Sequence, residues 1–345
     1  MTNNLFFQLL ILVLTFTLIL SIETKLVNLG GSYGHRDHDL KKIDNFNLQH
    51  NLTLTIVTGS WSNTQLVSEY YSSFKNIKIF DKNEIDFKIN GKIFVLSQIF
   101  NTTFVNYKCP NSNTNHSCFA STSEVVIPSK LKSSILGILG LEQVLSLKPN
   151  YVIGKKLENF KPKIQASTGY QYFLPPEVAQ VYGFPNSNGA GVRIGIVSLG
   201  GYFTQNDLQN YFTAIGFGSA PNINIVLIDG AQFNYADINS AAENYLDVEI
   251  ISTIVPEANI TFYFVPNTFQ YFYDVIKAAL QNSDVVSISW GTYEIFTSAY
   301  WSSFQALLAQ YGNVPCFIAT GDQGSSIGVG FPANCPNAIG KKYFK

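Results

Sequence analysis

The stretch VRIGIVSLGG (Val192–Gly201) decides the fold. Its apolar, β-branched run is too short for a helix and closes on two glycines. That is the pattern of a strand buried on both faces. Reading outward, the same grammar recurs in INIVLIDG (223–230), NITFYFVP (259–266), DVVSISWG (284–291) and VPCFIATGD (314–322). Helical spacing fills the intervals at Gln205–Ile215, Ile238–Val255, Phe269–Gln281 and Ser298–Tyr311. Alternating β and α segments of these lengths predict an α/β class, with a parallel doubly wound sheet. Such sheets carry their sites beyond the carboxyl ends of the strands. Here those ends read SLGG, SISWG and ATGDQGSS. SLGGYFTQ lacks the G-x-G-x-x-G spacing, which argues against a dinucleotide site.

Upstream the grammar differs. From about Asn45 to Leu145 the chain reads as an α+β unit with an antiparallel sheet. NLTLTIVTG (51–59), KIFVLSQIF (92–100) and TSEVVIP (122–128) are expected strands. NTQLVSEYYSSF (63–74) and SKLKSSILGILGLEQV (129–144) are expected helices. The Lys-rich, Pro-containing segment Ser146–Gly169 reads as an exposed linker, the kind of segment that proteases cut.

The 345 residues leave room for two domains, and the composition is globular, 46% hydrophobic and 13% charged. A net charge of −1 leaves no basic footprint for nucleic acid. Leu5–Ile22 is an uncharged, mostly apolar block that resembles a signal peptide, with an uncleaved anchor as the alternative. Later segments are too short or too polar to cross a bilayer. Four N-x-[ST] sequons follow, at Asn51, Asn101, Asn115 and Asn259. Of the four cysteines, Cys109 and Cys118 bracket a polar loop, and Cys316 and Cys335 bracket the last glycine-rich region. Neither pair has C-x-x-C spacing and no histidine lies near the second. Two disulfides therefore fit better than zinc, and they place the chain in the secretory pathway.

The four histidines, His35, His38, His50 and His116, all lie in the first half. A catalytic second half cannot then use a Ser-His-Asp arrangement, and its general base must be a carboxylate, a Lys or a Tyr. Glu243 and Asp247, in SAAENYLDVEIISTIVPEA (240–258), stand four residues apart on one helical face. No Lys or Arg occurs between Arg193 and Lys277 to neutralise them. Two close carboxylates cannot both ionise easily, so such a pair can act as a base with its orienting partner. The bland alternative is a solvated acidic face. Asp322 ends a predicted strand between Gly321 and Gly324 and could donate a hydrogen bond to an oxyanion, or simply satisfy its own turn. Ser289–Gly291 could pair with an extended peptide, or be no more than a small-residue strand end.

Four ordered blocks are similar to the sedolisin family of serine-carboxyl peptidases: Gly191–Phe212, Ala241–Phe264, Asp284–Glu294, and FIATGDQGSS with GFPANCPN. STSEVVIPSKLKSSILGILGLEQV (121–144) resembles the end of that family's propeptide. The resemblance implies a subtilisin-like sheet preceded by a ferredoxin-like propeptide domain. The expected layout is a signal peptide at 1–22, a propeptide at 23–160 and the first part of a peptidase domain at 161–345. It also implies roles: Glu243 as general base, Asp247 as its orienting partner, Asp322 as oxyanion donor, Ser289, Trp290 and Gly291 as the substrate edge. The implied activity is acid-acting endopeptidase or tripeptidyl peptidase, in a secreted or lysosome-like setting, acting as a monomer on peptides or proteins. The family's nucleophile lies in a G-T-S-x-x-x-P segment followed by a calcium site, and neither motif occurs in these 345 residues. No cofactor is therefore expected in this chain, and it is expected to be truncated, poorly stable and inactive alone. The alternative is a non-catalytic secreted binding protein that inhibits or chaperones an intact related peptidase.

Overall fold

A computed structural model describes residues 26–28, 47–108, 117–143, 147–149, 174–293, 298–322 and 328–341. The apolar block Leu5–Ile22 lies outside the described residues. Among the described residues, no helix is long and apolar enough to cross a membrane.

The first unit is α+β. In chain order it holds β1 (Leu26–Asn28), β2 (Asn51–Val57), α1 (Trp61–Ser72), β3 (Lys78–Phe80), β4 (Asp86–Lys92), α2 (Ile93–Ile99), β5 (Phe104–Lys108), β6 (Ser117–Ser121), β7 (Val126–Pro128) and β8 (Gly137–Leu139). β3, β4, β2 and β8 form a four-stranded antiparallel sheet in that order, as expected. Leu52, Leu54, Phe87 and Ile89 from the sheet pack with Val67 and Tyr71 of α1 and Leu96 of α2.

Two expectations fail in this unit. KIFVLSQIF is mostly helix α2, although its residues favour strands. Its buried positions Ile93, Leu96 and Phe100 repeat at helical spacing, and that face fixes its conformation. The amides of Ile93 and Phe94 donate to the carbonyls of His50 and Leu48, which anchors its first turn. The expected helix over 129–144 is a 3-10 turn, Ser129–Ser134, followed by strand β8. There Leu139 and Ile138 complete the edge of the sheet beside β2.

Short strand β9 (Lys148–Pro149) follows, then α3 (Pro175–Val181), β10 (Arg193–Ser198), α4 (Gln205–Ala214), β11 (Asn224–Leu227), α5 (Ile238–Ile254), β12 (Asn259–Phe264), α6 (Phe269–Asn282), β13 (Val285–Ile288), β14 (Trp290–Tyr293), α7 (Ser298–Gln310), β15 (Cys316–Ala319), β16 (Gly330–Phe331) and β17 (Ala338–Lys341). The six-stranded sheet runs β11-β12-β10-β13-β15-β17, and all its pairings are parallel. Both faces are covered. Ile194 and Ile196 of β10 enter one apolar cluster with Phe262 and Phe264 of β12. Val197 and Tyr263, pointing the other way, enter a second with Phe272, Val275 and Ile276 of α6. The near-continuous apolar runs of β10 and β12 follow from that double burial, whereas β11, expected to be buried on both faces, lies at the sheet edge with Ile225 and Leu227 exposed.

Chain order reverses at β10. The path first moves outward to β11 and β12, then α6 carries it back across to β13. The carboxyl ends of β10 and β13, which are neighbours, therefore flank the crevice in which such sheets bind ligands.

The two units share a core. Val57, Ile85, Leu139 and Leu147 belong to the same apolar cluster as Tyr273, Phe304 and Ile288. Leu147 is buried, and Asn267 both accepts from its amide at 2.8 Å and donates to its carbonyl at 2.7 Å. The expected exposed linker thus gives way, at residues 147–149, to a pinned strand. The rest of that segment lies outside the described residues.

Candidate functional site

The crevice is built from three segments: the loop after β10, helix α5, and the break between β13 and β14. DVVSISWG was expected as one strand. It is two, in different sheets, with Ser289 at the break.

Helix α5 is held against the loop after β10 by close approach. Asp237 caps it, accepting from the Ser240 amide at 3.1 Å. Gly201 adopts a φ of +73°, and a Cβ there would lie 2.3 Å from the Ala241 nitrogen, so glycine is required. A Cβ on Gly200 would meet Ser240 Oγ at 2.9 Å and Trp290 Cη2 at 3.0 Å. Asn244, buried, donates to the carbonyls of Gly200 at 2.9 Å and Tyr202 at 3.2 Å and accepts from Ser198 Oγ at 2.7 Å. The sequence reading passed over Ser198 and Asn244. A polar residue beside an apolar helix face was the available signal.

Glu243 is buried, 5% exposed, and Asp247 is half-buried. This corrects the solvated-face alternative for Glu243. Ser289 Oγ donates to Asp247 Oδ1 at 2.8 Å, which joins the helix to the strand break. Trp290 is 1% exposed, and its Nε1 has no hydrogen-bond partner among the described residues.

Strand β14 runs between two neighbours. β16 pairs with it on one side, Thr292 opposite Phe331. On the other, β9 pairs antiparallel, with Trp290 opposite Pro149 and Gly291 opposite Lys148. An extended segment of the chain itself therefore lies along the edge read from sequence as a peptide-pairing strand. Asp322 is half-buried just beyond β15, which neighbours β13, after Gly321 with a φ of +89°. It shares the carboxyl edge of the sheet with the other candidates. Ser325 and Ser326 lie outside the described residues.

Between α4 and α5 lies a second set of titratable groups. Thr204 and Tyr245 donate to Asp207, and these bonds hold its carboxyl below the usual range. Glu249, largely desolvated and close to the Asp207 charge, is pushed up to about 7. Burial, with Asp207 adding, lifts the Tyr245 hydroxyl to about 12.

Cys118 is in a disulfide, and its expected partner Cys109 lies outside the described residues. Cys316 and Cys335 are both buried and belong to one apolar cluster. Asn51, Asn101 and Asn259 are exposed, as glycan acceptors must be, and Asn115 lies outside the described residues. Among the described residues, no group of three or more His, Cys, Asp or Glu side chains could hold a metal ion.

An alignment of 271 residues makes the chain 29% identical to kumamolisin of Bacillus sp. (strain MN-32). It covers 73% of this chain and 48% of the relative, so the chain spans about half the length of that curated protein. A solved Pseudomonas sedolisin (serine-carboxyl proteinase), complexed with two molecules of pseudo-iodotyrostatin, matches with a TM-score of 0.41 at 19% identity, over 48% of this chain and 52% of that one. Fervidolysin from Fervidobacterium pennivorans, a keratinolytic enzyme related to subtilisin, matches with a TM-score of 0.39 at 12% identity, over 91% and 45%. No family model matches the chain.

Proposed function

From its membership of the sedolisin family, carried by the sequence match to kumamolisin, we propose that the chain is a precursor of an acid-acting serine-type peptidase with a subtilisin-like catalytic unit. The observation that carries this reading is the Ser289–Asp247 hydrogen bond beside the buried Glu243, on the face of α5 turned to the sheet's carboxyl edge. In this reading Glu243 takes the proton of a serine hydroxyl as that oxygen attacks a peptide carbonyl. Asp247 orients Glu243 and is itself held by Ser289. Asp322 donates a hydrogen bond to the oxyanion, and Ser289–Gly291 pairs with the substrate backbone beside Trp290. The base is a carboxylate because the second half of the chain contains no histidine.

The serine is to come from outside these 345 residues, which contain no G-T-S-x-x-x-P segment. The 345-residue chain alone should then hydrolyse no peptide at acidic pH. Hydrolysis abolished by Glu243→Gln would overturn that. A longer chain read from the coding DNA past Lys345, with a G-T-S-x-x-x-P segment, should be active. In it Glu243→Gln should lower kcat by about 100-fold or more. Unchanged kcat in that variant would end the assignment of the base.

Residues 23–160 act in this reading as the propeptide, and cleavage after Ile22 and disulfides within the secretory pathway complete the precursor. A second reading, an inhibitor or chaperone of an intact related peptidase, is favoured by the β9–β14 pairing, which already fills a peptide edge. No inhibition of such a peptidase by the 345-residue chain at micromolar concentration would dispose of it.

A further inference from the structure

Strand β4 and helix α6 meet through charges arranged in crossed order. Asp86 and Lys88 are two residues apart on β4 and share a face. Asp274 and Lys277 are three apart on α6 and share another. Lys277 Nζ donates to Asp86 Oδ1 at 3.0 Å, and Lys88 Nζ lies 3.1 Å from Asp274 Oδ2. All four residues are buried, from 0% exposed for Asp86 to 9% for Lys88. The Tyr273 hydroxyl donates to the second Asp86 oxygen at 2.8 Å. Nearer the rim, Asp81 stands 3.6 Å from Lys88 and 3.7 Å from Lys277, and Asp229 stands 3.9 Å from Lys88.

Attraction alone is a weak reason for such a group. Removing each charge from water costs several kcal/mol, and apolar replacements of buried ion pairs are often as stable or more so. The shared apolar core already supplies adhesion around it. What the charges add is order. The smallest slide of β4 that keeps the same face inward is two residues, and it would set Lys88 against Lys277. An end-to-end flip would set like against like at both contacts.

We propose that the crossed charges of β4 and α6 are a docking key: the α6 face accepts an N-terminal unit that presents Asp and then Lys two residues on along this strand, in one orientation. Its partner is the N-terminal unit of this same chain. Units carrying another charge order at those two positions are rejected by like-charge contacts in a buried site. The key concerns assembly of the two units and holds whether or not the crevice is a peptidase site.

The test is amide hydrogen exchange on the full 345-residue chain at pH 8. Burial raises the Asp274 carboxyl to about 7 against the pull of Lys88, and pH 8 lies above that. Every chain carries Asp81→Asn and Asp229→Asn, because those rim carboxylates favour the native order. Reversing one side alone, Asp86→Lys with Lys88→Asp, or Asp274→Lys with Lys277→Asp, should lower the protection of β4 and α6 amides at least about tenfold. Reversing both sides should restore it to within about threefold of the parent, since the crossed order returns. A fourth chain, with Asp86→Leu, Lys88→Met, Asp274→Leu and Lys277→Met, should stay protected, because nothing then clashes. Two results overturn the key. One is a doubly reversed chain no better protected than the one-sided chains, failure to fold included. The other is an apolar chain that loses as much protection as they do, which would make the charges adhesive rather than selective.

Discussion

Asn244 stands next to Glu243 in the chain, yet it faces the loop after β10, where it serves three partners at once. Asn244→Leu would leave the Gly200 and Tyr202 carbonyls and the Ser198 hydroxyl without it, and should cost about 2–4 kcal/mol in denaturant unfolding. Ser289→Ala removes the donor to Asp247 and should cost about 1–2 kcal/mol. A loss below about 0.3 kcal/mol in either variant would show that the bond does not hold the crevice together. Glu249 gives a pH signature of known sign. Folded, its carboxyl keeps its proton up to about 7, whereas in the unfolded chain it ionises near 4.5. Its contribution to stability is therefore full below about 4.5 and is lost as pH rises through 7. Glu249→Gln should flatten the fall in unfolding midpoint across that window, and an unchanged slope would clear Glu249 of it.

At the scale of elements, the close approach of the β10 loop to α5 makes Gly201 the most sensitive position in the crevice. Gly201→Ala meets both an unfavourable φ and the α5 backbone, and should destabilise by at least about 2 kcal/mol. Wild-type stability in that variant would mean the loop can move off the helix. Although β17 was not expected, helices α4, α5, α6 and α7 were legible in the sequence by their helical spacing, and the parallel strands β10, β11, β12, β13 and β15 by their apolar runs. β10, for instance, sends Ile194 and Ile196 to one cluster and Val197 to the other. KIFVLSQIF was misread because strand-favouring residue types hid a buried spacing that is helical. β4 (DFKINGK) was missed for the converse reason, since its inward face carries Asp86 and Lys88, whose partners lie almost two hundred residues further on. The carboxylates of the candidate site were legible as a spacing. The Ser289 contact, the Asn244 clamp and the β9 pairing were not, since each joins segments far apart in the chain.

For the whole molecule, the shared core predicts one unfolding event rather than two. Leu139 lies in the first unit but packs in the cluster that holds Phe272 and Ile288. Leu139→Ala should cost about 2–5 kcal/mol and lower the midpoint of both units together. Far-ultraviolet circular dichroism and the fluorescence of Trp61 and Trp290, in opposite units, should report one transition. Separate transitions would show that the units melt independently. The apolar bonding across that boundary also bears on β14. Both its edges are taken, one by β16 and the other by β9, whose neighbour Leu147 is buried and held by Asn267. A strand supplied from solution does not meet a vacant edge; it meets a resident already attached to the same polypeptide. Such a tethered competitor acts at an effective concentration on the order of millimolar. Peptide affinity measured on the intact chain will therefore report the exchange of one strand for another, and cutting the tether should raise it without touching a single residue of the groove.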